Sequence, residues 1–165
     1  SDFHARHSSV GKRYRYLVCN LPYRSPFSRN KSWWVRKSLN LEAIREASSY
    51  LMGKNDFSAF RAAACSSPNP KKDLHEILCD VKPWLHANLC FELEADSFLQ
   101  HMVRIMVGTL VQVGTGKLKP EQMKGILESR DRTHSGLTAP AHGLYALAVR
   151  YPEDRIEWPN ELMDS

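Results

Sequence analysis

From Phe98 to Val113, in "SFLQHMVRIMVGTLVQVG", the only charged side chain is Arg104. A run this apolar must be buried, yet a guanidinium cannot shed its proton to follow it. Arg104 must therefore reach water, a carboxylate or a phosphate. The run falls short of the about 18 to 20 residues that a membrane span needs, and it carries glycines as well as the charge, so it reads as a core helix over about 97–113. On a helical wheel Arg104 shares a narrow stripe with Ser97, His101 and Gly108, and the apolar residues cover the rest. Two uses of the stripe stay open: a strip facing water, or a guanidinium lining a cleft where it donates to a carboxylate or phosphate. Gly108 would let a backbone or a ligand come close.

Elements that could pack on such a helix flank it. "KRYRYLVCN" alternates, with Lys12, Tyr14, Tyr16 and Val18 on one side and Arg13, Arg15, Leu17 and Cys19 on the other, as a strand does. Residues 20–38, with Pro22, Pro26 and several polar residues, read as a loop with a mobile tip. Asn40 is a candidate N-cap for a helix carrying Leu41, Ile44, Ala47 and Leu51 and closing at Gly53. "DFSAF" reads as a turn or short helical piece. "LHEILCDV" and "ANLCFELEA", joined through Lys82, Pro83 and Trp84, form an expected antiparallel pair. Glu92 and Glu94 in the second of these and Asp96 just after it alternate and are expected to face water. "KPEQMKGILESR" is a short helix opened by Pro120, and "GLYALAVRY" a last strand. The order predicts an α+β fold: a mostly antiparallel sheet with helices packed on one face.

Charge is uneven. Residues 1–37 hold nine basic residues against the single acid Asp2, whereas the whole chain of 165 residues carries a net +5, so the remainder is mildly acidic. A basic end with interleaved aromatics suggests a polyanion, nucleic acid ahead of membrane, although a solvated basic strand explains the charge as well. Arg6, Lys12, Arg13 and Arg15, with His101 beside Arg104, are the candidate RNA contacts. Tyr14 and Tyr16 could stack on bases or pack on a helix. Cys19, Cys65, Cys79 and Cys90 form no CxxC pair, which fits reduced thiols and a cytoplasmic setting. His4 and His7 lack acidic or cysteine companions, so no metal site is expected, and "GTGK" is too short for a phosphate loop.

Taken together, "DFHAR", "KRYRY", "GKNDFSAFR", "SFLQHMVRIMVGTL" and "TAPAHGLYALAVRYP", in that order from Asp2 to Pro152, resemble the TruA-type tRNA pseudouridine synthases. The resemblance implies that an Asp acts on a uridine in tRNA, the anticodon stem-loop above all. The glycosidic bond breaks and the base is rejoined through C5, without metal or organic cofactor. It implies that Tyr14 stacks on the target base, Arg104 pairs with the catalytic Asp, and Leu144 forms an apolar wall of the base pocket. It also implies a homodimer. That family's Asp motif lies upstream of "DFHAR", and "RTHSG" at 132–136 has His134 where the Asp would be. "NPKKDLHEI" departs from the family's usual Thr and Arg. The expectation is therefore that residues 1–152 are the C-terminal half of a catalytic region and 153–165 a polar tail. On this reading the nucleophilic Asp comes from an N-terminal half of the same protein, and these residues alone are inactive. The competing expectations are a noncatalytic RNA-binding module using the basic first 37 residues, and a protein-interaction domain docking a partner on its apolar helix.

Overall fold

A computed structural model describes residues 10–84 and 87–151. Arg6, "DFHAR" and residues 153–165 lie outside them. The chain forms strands β1 (Gly11–Cys19), β2 (Trp33–Trp34), β3 (Gly53–Asp56), β4 (Lys71–Trp84), β5 (Ala87–Ala95) and β6 (Leu144–Arg150). With them stand helices α1 (Leu41–Ser49), α2 (Met102–Gly114) and α3 (Gln122–Ser129). The sheet runs β2-β1-β5-β4-β3, and β6 pairs with β1 along the same edge as β2. Every pairing is antiparallel except the two-residue match of β1 with β2. The α+β architecture with a mostly antiparallel sheet is the one expected.

The period of β1 sorts its residues between two environments. Tyr16 and Val18 join Leu89, Phe91, Leu93 and Leu74 in one core with Ile44 and Ala47 of α1, nearly all of α2, and Met123, Ile126 and Leu127 of α3. All three helices thus cover one face. Burying each large apolar side chain there contributes about 1.5–3 kcal/mol. Asn40 caps α1, its side chain accepting from the Ala43 N–H at 3.1 Å.

Two local expectations change. "GKND" is a strand rather than a helix end: Gly53 takes φ 84°, and β3 adds to the edge of β4 in register with Lys71–Leu74. Residues 82–84 extend β4 instead of forming the connection. The excursion 20–38 is pinned at its base, where Asn20 Nδ2 donates to the carbonyls of Val35 and Lys37 at 2.8 Å and Trp34 Nε1 donates to that of Leu21 at 3.0 Å.

Candidate functional site

The long helix begins later than its apolar pattern suggests. His101 has φ 59°, a left-handed conformation that a helix does not continue through, so α2 starts at Met102. Ser97 therefore leaves the stripe. It sits in a turn held by Asp96, whose Oδ1 accepts from the Ser97 N–H at 2.6 Å and the Asp73 N–H at 3.1 Å. Within α2 only Arg104 and Gln112 escape full burial, with Gly108 midway between them.

This stripe meets backbone at Gly108 and an open cleft at Arg104. The extended segment 136–139 lies across it. A methyl group on Gly108 would stand 1.8 Å from the Leu137 carbonyl oxygen, so the glycine is there to admit a backbone. The Gly136 N–H donates to Thr109 Oγ1 at 2.9 Å, and the Ala139 N–H donates to the Arg104 carbonyl at 3.0 Å. Arg104 returns the contact, its Nε donating to the Ala139 carbonyl at 2.7 Å. The two terminal amino groups of its half-buried guanidinium have no protein partner among the described residues.

Arg104 lines an open cleft of about 1100 Å³, whose walls also carry Lys12, Tyr14, Lys72, Phe98, His101 and Leu144. Lys12 and Tyr14 come from the core-facing side of β1, where the sheet runs past the helices, and Leu144 opens β6 opposite Tyr16. Tyr14 presents a partly exposed ring braced edge-on by Phe98, with centroids 5.3 Å apart. The first residues expected at the site, Tyr14, Arg104 and Leu144, thus meet in one cavity with Lys12 and His101.

Arg13 and Arg15 do not join them. The same alternation turns them to the opposite face, where both are buried. Arg15 reaches Glu92 Oε1 at 2.8 Å, and Arg13 reaches Glu92 Oε2 at 2.8 Å, Glu76 at 3.1 Å and Glu94 at 3.3 Å. Arg150 adds a contact to Glu94 at 3.2 Å. Glu92 and Glu94 are therefore buried ion-pair partners, not the water-facing acids that their alternation suggested. Burial alone would raise the Glu92 pKa, but the hydrogen bonds and charges of Arg13 and Arg15 outweigh it and hold the carboxyl below its ordinary value.

Lys72 was not singled out from the sequence. It lies two residues before the core residue Leu74 on β4, and that register delivers it to the cleft. Arg61, from "GKNDFSAFR", braces the cleft's rim by donating to the Cys65 and Ser67 carbonyls at 2.8 and 3.2 Å. Among the described residues no cluster of His, Cys, Asp or Glu is arranged to hold a metal ion, and no helix is long and apolar enough to cross a membrane. All four cysteines are free and buried.

Residues 47–152 match the model of the family described as tRNA pseudouridine synthase. The chain belongs to that family, in agreement with its TruA-type motifs. Within it, the chain is similar to proteins named tRNA pseudouridine synthase A: 43% identical over 158 residues to that of Syntrophotalea carbinolica, covering 94% of this chain and 61% of the relative. It is 41% identical over 150 residues to that of Thermoanaerobacter sp. strain X514, covering 91% and 60%, and 41% identical over 152 residues to that of Alcanivorax borkumensis, covering 92% and 56%. The chain spans about three fifths of the length of these relatives.

Proposed function

We propose that this chain carries the Arg104 side of an active site that isomerises uridine to pseudouridine in tRNA, in the anticodon stem-loop. The observation that supports this most is the guanidinium of Arg104, fastened through Nε to the Ala139 carbonyl while its terminal groups stay open to a cleft between Tyr14 and Leu144. A planar donor held this way is prepared for two-point binding of a carboxylate and keeps that carboxylate ionised. The carboxylate is an Asp supplied from outside these 165 residues. It acts on the uridine while the N1–C1′ bond breaks and a C5–C1′ bond forms, with the C5 proton lost and N1 protonated. The isomerisation is redox-neutral and calls for no electron carrier.

Tyr14 stacks on the target base once it leaves its helix, and Leu144 excludes water from the detached base. Lys12, Lys72 and His101 surround the opening and contact the phosphates. Arg13 and Arg15 are committed to glutamates on the other face, so the proposed RNA surface leaves them out. The working assembly is a homodimer in the cytoplasm.

The test is an assay on tRNA transcripts. The 165-residue chain alone should bind tRNA without forming pseudouridine. With two lysine contacts, log affinity should fall against log salt with a slope of about −1.4. Turnover by this chain alone would sink the claim that the Asp lies elsewhere. Once the Asp-bearing part is supplied, Arg104→Ala should lower turnover about 30-fold or more, the equivalent of roughly 2 kcal/mol. Unchanged turnover in that variant would remove Arg104 from the mechanism. Binding with no turnover even when the Asp-bearing part is supplied would favour a noncatalytic RNA-binding module.

A further inference from the structure

The second tyrosine of "KRYRY" does not line the cleft, yet it binds the residue next to the one that holds Arg104. Tyr16 is fully buried. Its hydroxyl donates to the Pro140 carbonyl at 2.6 Å, next to the Ala139 carbonyl that accepts from Arg104 Nε. Its ring is fixed on two sides. Trp33 packs edge-on at 6.4 Å, and Gly143 comes so close that an added methyl group would stand 2.7 Å from Tyr16 Cζ.

The segment 136–143 is thus tied down along its length. Thr109 holds it at Gly136, Gly108 admits Leu137, Arg104 grips Ala139 twice, Tyr16 clamps Pro140, and His142 Nε2 lies 3.1 Å from the Ser32 carbonyl. Ala139 precedes a proline and is restricted to extended conformations, so the direction of its carbonyl is set by how Pro140 is seated. Arg104 itself has only one side-chain tie to the protein among the described residues, at Nε. Whatever fixes the Ala139 carbonyl fixes the orientation of the guanidinium.

The geometry points to Tyr16 as a positioning residue: by clamping the Pro140 carbonyl it sets the Ala139 carbonyl, and through it the plane in which Arg104 presents its two terminal amino groups to the cleft. Tyr16 touches no substrate in this scheme. Burial raises its pKa well above the ordinary phenol value, against the opposing pull of the Arg104 charge, so the hydroxyl stays protonated and remains a donor at any working pH. The inference rests on Arg104 being the working arginine of the proposed site, but its test does not.

The readout is solvent exchange of the Arg104 Nε–H proton by NMR on the ¹⁵N-labelled chain, with its signal assigned by its disappearance in Arg104→Lys. In the unaltered protein this proton should exchange at least about tenfold more slowly than that of exposed Arg29, because a hydrogen bond protects it. Tyr16→Phe keeps the ring and removes only the clamp. It should speed the exchange about five- to tenfold, while hydrogen exchange of the α2 backbone stays unchanged. In a form of the enzyme that turns over, the same variant should lower kcat with KM within about twofold, the signature of a misaligned group rather than lost binding.

Unchanged exchange in a folded Tyr16→Phe protein would overturn the inference. So would an Arg104 Nε–H that already exchanges as fast as that of Arg29 in the unaltered protein, a measurement that needs no variant to fold. Full turnover in Arg104→Ala would instead sink the functional reading and leave the clamp standing.

Discussion

Two glycine-to-alanine substitutions in helices of this chain should change stability in opposite directions. In an exposed helix the replacement removes a conformational cost and stabilises by about 0.5–1 kcal/mol. Gly125, on the outer side of α3, has no atom within 4 Å of where the new methyl would stand, so Gly125→Ala should gain that amount. Gly108 has the same propensity to gain, but its methyl would lie 1.8 Å from the Leu137 oxygen and 2.9 Å from the Leu137 carbonyl carbon. Ordinary contact needs about 1.5 Å more. Helix α2 is packed in the core and cannot retreat, so the segment 136–139 must. That strains the bonds from the Gly136 N–H to Thr109, from the Ala139 N–H to Arg104, and from Arg104 Nε to Ala139. Three bonds at about 1 kcal/mol each, less about 1 kcal/mol of helix propensity, leave a net loss of about 2 kcal/mol. Urea unfolding followed by circular dichroism measures it, as a midpoint about 1 M lower with an unchanged slope. If Gly108→Ala proved as stable as the parent, the segment would not be clamped to the helix and the account of Arg104's fixation would fail with it.

Other substitutions report on separate parts of the fold. Glu92→Gln leaves two buried guanidinium groups short of charge and should destabilise by about 3 kcal/mol in the same unfolding assay. Because the folded carboxyl of Glu92 sits below its ordinary value of 4.5, its contribution is complete above that value and is lost as pH falls through the lower one. Calorimetry between about pH 3 and 7 should therefore show a shallower acid fall in Tm for Glu92→Gln than for the parent. Asn40→Ala removes the α1 cap and should cost about 1 kcal/mol, read by thermal unfolding. Burial pushes the Cys79 and Cys90 thiols up to about 12. Cys65 is lowered, because the Gln100 and Ser67 N–H groups and Arg61 outweigh the effect of burial. Iodoacetamide near pH 8 followed by mass spectrometry should label Cys65 before either of the others, and the reverse order would contradict this.

The parts of this fold legible in the sequence are those whose signal is local. The apolar run of α2, the capped amphipathic α1 and the alternation of β1, β5 and β6 each carry their own period, and each element is present. β3 carries no such signal: "GKND" is polar throughout and is a strand only because β4 offers it an edge. The start of α2 was misplaced because helical spacing continues back to Ser97, whereas a single left-handed residue, His101, breaks the chain. At the site, Tyr14, Arg104 and Leu144 came from a family resemblance, and the fold places them in one cleft. Lys72 was invisible because its position depends on the register of β4. The partner of Arg104 along its helix, the backbone at 137–139, was invisible because glycine spacing reveals that something comes close, not what.

The sharpest consequence concerns two neighbours that composition treats alike. Lys12 and Arg13 are adjacent cations in one basic run, but the pleat of β1 sends Lys12 to the cleft and Arg13 to a buried cluster with Glu76, Glu92 and Glu94. Their removal should therefore separate binding from stability. On the proposed RNA surface Lys12→Ala would lose one phosphate contact: tRNA affinity should fall several-fold and the salt slope should shrink by about 0.7, with stability unchanged within about 0.5 kcal/mol. Arg13→Ala strands part of a buried acidic cluster, although Glu92 keeps Arg15 and Glu94 keeps Arg150, and should cost about 3 kcal/mol. At a temperature where that variant is still folded, its salt slope should equal the parent's. Filter binding across a salt series and urea unfolding of the two variants decide the matter. An equal loss of slope in both would mean that the basic run acts as one surface, and that the two faces of β1 do not divide recognition from support.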